Sequence, residues 1–385
     1  MSIARREFLT CGVLPALAST VSAQAVERAD AVKDPIVNFH SDGLALSPAD
    51  YARLLSRLAE HPGIEADSYS RGGVVELLET EMAKLLGKEM AVYLPTGTLA
   101  NHLAVRLLAG GRRRVLVQQE SHIYNDAGDG AQQLSGLTLV PLAAGRATFT
   151  LEQVDLEIRR VETGRVRTTV GAISIESPVR RASGEVFSLE EMRKISEFAR
   201  ARGIGLHLDG ARVFLASPYT GVSPATYAAF FDTVYVSLYK YFNSASGAIL
   251  AGPRRLLEDL YHERRMFGGG LAQVWPEAAV ALHYLEGFAD RFARAASVAE
   301  TLFQALAAHP RCRVDRTPNG TNVARLRVQG ANAAALPERL GAQGIAIGRA
   351  QRTASGATDF VLVTNESLLR RPTSEIIGAV GEALA

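Results

Sequence analysis

Hydrophobic residues recur at helical spacing in two stretches near the start of the chain. The first stretch covers residues 48–58, with Ser47 suited to cap a helix and Pro48 suited to begin it. The second covers residues 73–86 and is followed by Gly87, a common helix stop. The pattern therefore predicts two amphipathic helices over these residues.

From residue 90 onward, short apolar runs alternate with helical stretches such as residues 189–202. The apolar runs lie at residues 91–94, 115–117, 170–175, 204–208 and 234–238. This alternation is typical of βαβ units, in which helices cover both faces of a parallel sheet. The sequence predicts an α/β fold with a mainly parallel sheet.

The pattern changes after about residue 290. A helix, a strand, a second helix and a second strand are predicted in turn, at residues 292–309, 323–328, 333–340 and 359–364. We therefore expect a large cofactor-binding α/β domain with an N-terminal segment at residues 26–289. A small α+β domain is expected at residues 290–385.

The first 25 residues have the composition of an export signal. Arg5 and Arg6 precede a short apolar stretch, and Ala23-Gln24-Ala25 resembles a cleavage site. The paired arginines resemble a twin-arginine signal, whose pathway moves folded proteins. We expect cleavage after residue 25 and a periplasmic location. The competing interpretation is a disordered tail that happens to carry two arginines.

Composition argues against several classes of function. The chain has 42 Lys and Arg against 40 Asp and Glu, a net charge of +2, which gives no strong basic field for nucleic acid. No apolar run reaches the roughly 20 residues that span a bilayer, so we expect no membrane association after signal removal. Cys11 lies in the predicted signal, so Cys312 would be left without a disulfide partner. We assign no metal ligands.

A short turn at residues 96–98 is the first candidate for chemistry. Thr96, Gly97 and Thr98 separate a predicted strand from a predicted helix. Free N–H groups and hydroxyls at a helix start bind phosphate. Thr and Gly also serve as ordinary helix caps, and the turn taken alone favours that interpretation.

Three further polar residues follow predicted strands: His122, Asp209 and Lys240. Such strand ends meet at one edge of an open α/β sheet, where ligands bind. Asp209 ends an apolar strand and needs a positive partner, since a buried charge is otherwise neutralised. A desolvated lysine is a nucleophile, although Lys240 taken alone can equally be solvated. A single histidine is more often a satisfied surface or core residue.

In this order, the turn, the histidine, the aspartate and the lysine predict pyridoxal 5'-phosphate as the cofactor. Lys240 would hold its aldehyde as a Schiff base and move protons at the substrate α carbon. Asp209 would pair with the protonated ring nitrogen, and Gly97 and Thr98 would anchor the phosphate. His122 would stack on the ring and take a proton from a substrate hydroxyl.

Longer stretches resemble the L-threonine aldolase branch of the aromatic amino acid β-eliminating lyase family, a group of fold-type-I pyridoxal phosphate enzymes. The resemblance runs from about Asn38 to Thr364. Its more specific stretches lie at residues 40–42, 67–69, 93–101, 174–176, 207–212, 240, 266–270 and 363–364.

This resemblance implies a seven-stranded, mainly parallel sheet and a homodimer or homotetramer with active sites between subunits. It also implies that Thr96, Glu176 and Arg212 belong to the cofactor site. Ser41 and Arg212 would help to hold the substrate carboxylate.

One departure from the family concerns that carboxylate. Family members usually carry an arginine where Val361 stands here. Without a replacement cation, the affinity for a simple amino acid would fall by about tenfold to a hundredfold. We expect Arg180 or Arg181 to supply the missing charge.

A second departure concerns the residues around Lys240. The usual glycines after the lysine are replaced, and Tyr239, Tyr241 and Phe242 flank it. Two interpretations stay open: a bulky pocket for aromatic β-hydroxy amino acids, or aromatic packing between subunits.

The leading function is cleavage of a threonine-like β-hydroxy-α-amino acid to glycine and an aldehyde. A second is another reaction on the same cofactor, such as β-elimination to ammonia and a keto acid. A third is a protein that binds the cofactor but has lost catalysis. The missing arginine at residue 361 is the only support for this last interpretation.

Overall fold

The computed structural model describes residues 36–330, 332–354 and 356–385. Pro35–Ala385 forms one compact unit. The predicted signal at residues 1–25 and the start of the predicted large domain lie outside the described residues. Within the described ranges, no helix is both long enough and apolar enough to cross a membrane.

The strands are numbered in chain order. They are β1 (Val37–Asn38), β2 (Met90–Leu94), β3 (Arg114–Gln118), β4 (Thr138–Leu142), β5 (Val170–Glu176), β6 (Gly205–Asp209), β7 (Thr233–Ser237), β8 (Ala248–Gly252), β9 (Cys312–Arg316), β10 (Val323–Val328), β11 (Ile345–Ala346), β12 (Gln351–Arg352) and β13 (Thr358–Val363).

The helices are numbered in the same way. They are α1 (Pro48–Ala59), α2 (Gly73–Leu86), α3 (Gly97–Ala109), α4 (His122–Asn125), α5 (Gly130–Ser135), α6 (Leu151–Glu162), α7 (Leu189–Ala201), α8 (Val213–Thr220), α9 (Pro224–Ala228), α10 (Arg254–Leu257), α11 (Leu260–Met266), α12 (Trp275–Leu285), α13 (Phe288–Ala307), α14 (Leu336–Ala342) and α15 (Thr373–Leu384).

A seven-stranded sheet forms the centre of the molecule, in the order β2-β8-β7-β6-β5-β3-β4. Strands β4, β3, β5, β6 and β7 are parallel, whereas β8 runs antiparallel to both of its neighbours. All seven residues of β5 are buried, as expected for a strand with helices on both faces. The predicted mainly parallel α/β sheet is confirmed.

Local signals explain where the first two helices begin and end. The Ser47 side chain accepts a hydrogen bond from the Asp50 N–H at 3.1 Å, and Pro48 begins α1. Gly87 ends α2 with φ at +61°, a left-handed conformation that favours glycine. Both predicted helices are therefore confirmed to within one residue.

A second, four-stranded sheet lies in the C-terminal part, in the order β12-β13-β10-β9. Its pairs are antiparallel and it packs against α13 and α15 around a separate apolar core. β1 pairs with β11, so the segment that leads into Ser41 is attached to this part. The expected division at residues 289 and 290 falls inside α13, and the two-domain description stays a prediction.

Candidate active site

Four parallel strands of the large sheet end at one edge. β5 and β6 are in register, so that Glu176 and Asp209 are paired across the two strand ends. Lys240 follows β7 and His122 follows β3. Because the carboxyl ends of parallel strands meet, side chains that are far apart in the sequence converge here.

A cavity of about 1270 Å³ lies at this edge of the sheet. Ten of the eleven predicted site residues line it: Ser41, Thr96, Gly97, Thr98, His122, Glu176, Arg180, Asp209, Arg212 and Lys240. Arg181, the eleventh, is not among the lining residues. The structure brings the predicted cofactor residues together, and the individual roles stay predictions.

The turn at residues 96–98 combines the two roles that the sequence left open, helix capping and a position suited to bind phosphate. The Thr96 hydroxyl caps α3 by accepting from the Leu99 N–H at 3.2 Å, which is an ordinary capping role. The first N–H groups of a helix have no partner within it, and here they lie beside the cavity. A Cβ atom on Gly97 would lie 1.9 Å from the Tyr235 hydroxyl, so only glycine fits there.

Asp209 is held by a chain of buried hydrogen bonds. The Asn101 amide donates to its carboxylate at 2.6 Å, and the Ala211 N–H donates at 3.1 Å. His207 lies within 2.8 Å of the Asn101 amide oxygen and 2.9 Å of the Thr233 hydroxyl. Burial lowers the pKa of His207 to about 4, so its ring is neutral at neutral pH and donates from Nε2 to Asn101. Asp209 thus has one fixed orientation.

Glu176 lies beside Asp209 and is equally buried. Its two carboxylate oxygens accept from the backbone N–H groups of His122 at 2.6 Å and Arg180 at 2.9 Å. Burial, and then the charge of Asp209, raise the pKa of Glu176. Within the described part of the chain, neither carboxyl group forms an ion pair, although the charge of Arg212 offsets part of the rise in the pKa of Glu176.

His122 and Lys240 offer nitrogens to the same cavity. The Nδ1 atom of His122 is buried and has no hydrogen-bond partner. Lys240 is half-buried, and its Nζ donates to the Tyr239 hydroxyl at 2.9 Å and to the Ser237 hydroxyl at 3.3 Å. An unpartnered buried nitrogen calls for a ligand group, because leaving one unsatisfied costs free energy.

These features fit pyridoxal phosphate. The buried carboxylate of Asp209, which forms no ion pair among the described residues, suits a protonated ring nitrogen, and Lys240 supplies the amine. His122 offers an open nitrogen, and the start of α3 suits the phosphate. No cluster of His, Cys, Asp and Glu among the described residues has the arrangement of a metal site.

The predicted carboxylate residues have partners of their own. Arg212 forms an ion pair with Asp42 at 2.8 Å, and Asp42 also accepts from the Asn322 amide at 3.1 Å. The Ser41 hydroxyl accepts from Asn38 at 2.9 Å and donates to the Gly43 carbonyl at 3.0 Å. Arg212 therefore brings less net positive charge to the cavity than its sequence suggests.

Arg180 and Arg181 lie at the edge of the cavity and share one partner. Both pair with Asp126, at 2.5 Å and 2.8 Å. Arg180 and Asp126 line the cavity, whereas Arg181 does not. The expectation that either arginine can serve the cavity therefore narrows to Arg180.

A family model described as beta-eliminating lyase matches residues 58–329, more than half of the chain. The chain belongs to this family. Among similar proteins, the low specificity L-threonine aldolase of Escherichia coli K12 is 31% identical over 73% of this chain and 82% of its own length. The low-specificity L-threonine aldolase of Candida albicans is 30% identical over 54% of this chain and 56% of its own length.

Solved structures agree on the fold of this family member. A Listeria monocytogenes protein provisionally described as an L-allo-threonine aldolase has a TM-score of 0.75 and 27% identity, over 91% of this chain and 96% of its own. A serine palmitoyltransferase from Sphingomonas wittichii has a TM-score of 0.64 at 15% identity, over 97% and 98%. The latter shows the fold alone. The predicted fold-type-I architecture is confirmed.

Two of the three aromatic residues around Lys240 fit neither sequence interpretation. Tyr241 and Phe242 are buried in the core of the same chain, where their rings lie 5.2 Å and 5.0 Å from Phe288. They therefore neither line the cavity nor lie free to pack between subunits. Of the three flanking aromatics, Tyr239 alone reaches the cavity.

Several residues in or next to the cavity had no assigned role in the sequence. Asp42 and Asn101 lie inside stretches that resemble the family, but sequence does not show what they bind. The start of α1 and the loop before it supply an apolar side of the cavity, formed by Ala45, Leu46, Pro48, Tyr51, Ala52 and Leu55. The helical pattern of residues 48–58 gave no sign that this helix borders a site.

Proposed function

We propose that this protein is a pyridoxal-phosphate-dependent lyase that cleaves a β-hydroxy-α-amino acid to glycine and an aldehyde. The convergence of Lys240 with the buried carboxyl groups of Asp209 and Glu176 on one cavity carries the proposal. Family membership and the similarity to threonine aldolases support the same reaction.

The floor of the cavity would hold the cofactor. Asp209 and Glu176 would balance a protonated ring nitrogen, Lys240 would bind the aldehyde carbon, and the start of α3 would bind the phosphate. When bound, pyridoxal phosphate supplies an electron-poor ring that accepts electrons from the substrate α carbon. The hydrogen bond from Asn101 would hold the Asp209 carboxylate in the orientation that pairs with the ring nitrogen.

Ser41, Arg212 and Arg180 would orient the substrate carboxylate. Each lines the cavity, and each lies on a different segment of the chain. Arg180 would serve in place of the arginine missing at residue 361, because Val361 lies on the exposed face of the small sheet, opposite Arg325. The apolar side of the cavity leaves room for a substituent larger than methyl at the β carbon.

Product analysis tests the proposal. The protein lacking residues 1–25 is loaded with pyridoxal phosphate and incubated with threonine or phenylserine. Glycine and the matching aldehyde in equal amounts are the expected products. Ammonia with a keto acid would establish β-elimination instead, and a cofactor spectrum unchanged by either substrate would establish a non-catalytic binding protein.

We also propose that residues 1–25 direct export through the twin-arginine pathway and that the mature protein acts in the periplasm. The arginine pair and the Ala-Gln-Ala end of this segment support the proposal. Cell fractionation and N-terminal sequencing test it: a mature protein beginning at residue 26 is expected, retained with its leader in the cytoplasm when Arg5 and Arg6 are both changed to lysine.

We further propose a homodimer or homotetramer, as the family resemblance implies. Light scattering of the purified protein measures its mass directly. A mass near twice or four times that of the single chain is expected, and a monomeric active enzyme would contradict the proposal.

A further inference from the structure

Tyr239 is the residue directly before Lys240, and its position is unusual for a large apolar side chain. It is 49% exposed and lines the cavity, while its neighbours Leu238, Tyr241 and Phe242 are buried. Its ring therefore contributes little to the core. Something other than packing has to account for an aromatic residue at this place.

The hydroxyl of Tyr239 contacts the amine of Lys240. Nζ donates to Oη at 2.9 Å, and Nζ lies 4.3 Å from the centre of the ring. Among the described residues, the structure gives the Tyr239 hydroxyl no hydrogen-bond partner other than Lys240. The hydroxyl proton of Tyr239 is therefore available to a group in the cavity.

Retro-aldol cleavage needs two proton movements that a single amine serves poorly. The β-hydroxyl has to lose a proton, and the α carbon has to gain one. The α carbon is one end of the breaking Cα–Cβ bond, and the β-oxygen is attached to the carbon at its other end. An amine that acts through a neighbouring hydroxyl can exchange a proton with a more distant atom than the amine alone can.

We infer that Tyr239 relays a proton between the substrate β-hydroxyl and Lys240, which makes it a further catalytic residue of this site. The inference rests on the proposed function. The β-oxygen gives its proton to Oη of Tyr239, and the proton already on Oη passes to Nζ of Lys240. Tyr239 is a phenol before and after the step.

Lys240 then returns the proton that it received from Tyr239. As the Cα–Cβ bond breaks, the β carbon leaves as the aldehyde carbonyl and the electron pair stays with the α carbon. Lys240, now an ammonium, gives its added proton to the α carbon. In sum, the β-hydroxyl proton replaces the proton on Oη, the proton that Oη held ends on the α carbon of glycine, and no other reactant is consumed.

His122 is the other candidate for the hydroxyl proton, and its position differs from that of Tyr239. Its backbone is bound to Glu176, and its Nδ1 is buried without any bond to Lys240. A proton taken by His122 would therefore have no hydrogen-bonded path back to the amine among the described residues. Tyr239 is joined to Lys240 by a single hydrogen bond.

The Y239F variant tests the relay, since it removes the hydroxyl and keeps the exposed ring. Y284F is the matched control, because Tyr284 lies on α12 away from the cavity. With the loaded enzyme, two rates are compared: cleavage of threonine, and exchange of the α proton of glycine in heavy water. The second reaction has no β-hydroxyl and uses Lys240 alone.

For Y239F we expect cleavage to fall about a hundredfold or more, while glycine exchange stays within about threefold of the wild type. Y284F should leave both rates unchanged. Equal losses of cleavage and exchange in Y239F would show that Tyr239 only positions Lys240 and would overturn the relay, as would unchanged cleavage.

A second measurement uses the protein without cofactor. Loss of the acceptor Oη frees the Lys240 amine from one of its two hydrogen bonds, so the amine of Y239F should react about twofold to tenfold faster with trinitrobenzenesulfonate at pH 8. The exposed Lys84 is an internal control with an unchanged rate. An unchanged rate at Lys240 would overturn the contact itself.

These outcomes separate the relay from the proposed function. A wild-type enzyme that forms no glycine and aldehyde would overturn the proposed function and the relay with it. A wild-type enzyme that cleaves threonine, with a Y239F variant that cleaves it equally well, would overturn the relay alone.

Discussion

The floor and the rim of the cavity differ in how their polar groups are satisfied. The floor, formed by Glu176 and Asp209 with Asn101 and His207 behind them, is buried, and its side chains are held by hydrogen bonds to neighbouring strands, a helix and backbone N–H groups. The rim, formed by Asp126, Arg180 and Tyr239, is exposed and is held by ion pairs or a single hydrogen bond.

This difference in hydrogen bonding indicates which part of the cavity tolerates the loss of a side chain. A buried, fully bonded floor costs free energy when any member is removed, because the partner is left unsatisfied. Exposed ion pairs contribute little to stability and are weakened by water and salt. The floor is thus suited to hold a cofactor and the rim to select a substrate.

The largest loss is expected for Lys240→Ala. Cleavage should fall by about 10⁴-fold or more, to background, because both the covalent link and the proton-transferring amine are removed. The fold should persist, since Lys240 is half-buried and makes two hydrogen bonds. Activity and thermal unfolding are measured together, and substantial turnover in a correctly folded variant would refute the role of Lys240.

Asp209→Ala should cause the next largest loss. We expect turnover to fall by about 10²- to 10³-fold with some cofactor still bound, because the ring nitrogen loses its charge partner while Lys240 is untouched. Asp209→Asn is the matched variant that keeps the size of the side chain. Equal activity in wild type and both variants would show that Asp209 does not contact the cofactor.

The buried ring of His207 gives a pH dependence of stability. Its pKa of about 4 in the folded protein lies below the ordinary value of 6.5. Between these two pH values His207 is therefore protonated in the unfolded chain but neutral in the folded protein. This contribution is present in full above pH 6.5 and is lost as the pH falls toward 4.

Urea unfolding measures this effect as a difference between two proteins. The gap in unfolding free energy between wild type and His207→Gln should narrow by about 2 kcal/mol from pH 7 to pH 5. The exposed His262→Gln variant should show no such change. A gap that is constant with pH would mean that His207 is not held neutral in the floor.

The smallest effect is expected at the rim. Arg180→Ala should raise KM for threonine by about fivefold to tenfold with little change in kcat, because a side chain that is 46% exposed binds a carboxylate weakly. Arg181→Ala is the control, since Arg181 shares the Asp126 ion pair without lining the cavity. Steady-state kinetics of the two variants decide the matter, and identical KM values would leave the carboxylate with Ser41 and Arg212.

Sequence patterns predicted β2, β3, β5, β6 and β7 of the large sheet and β10 and β13 of the small one, but missed the parallel strand β4 and the antiparallel strand β8. β5, β6 and β7 are continuous apolar runs, which is the pattern of a doubly covered strand. β8 is an equally apolar run of five residues, yet neither its place between β2 and β7 nor its direction follows from its composition. Strand direction depends on the connection, which short apolar runs do not encode.

The site shows a similar limit: sequence predicts residues at strand ends better than residues in loops. Strand ends fix the floor, so Asp209 and Lys240 could be placed from the order of the strands. The rim depends on side-chain direction in a loop: Arg180 and Arg181 are adjacent in a short 3-10 helix, and one lines the cavity while the other does not. Sequence alone could not choose between them.

The central claim is that Lys240 holds the cofactor at the floor of this cavity. Borohydride reduction of the protein loaded with pyridoxal phosphate, followed by peptide mass spectrometry, tests it most directly. One pyridoxyl group is expected on Lys240, with Lys84, Lys88 and Lys194 unmodified. Modification at one of those lysines in place of Lys240, or no modification at all, would contradict it.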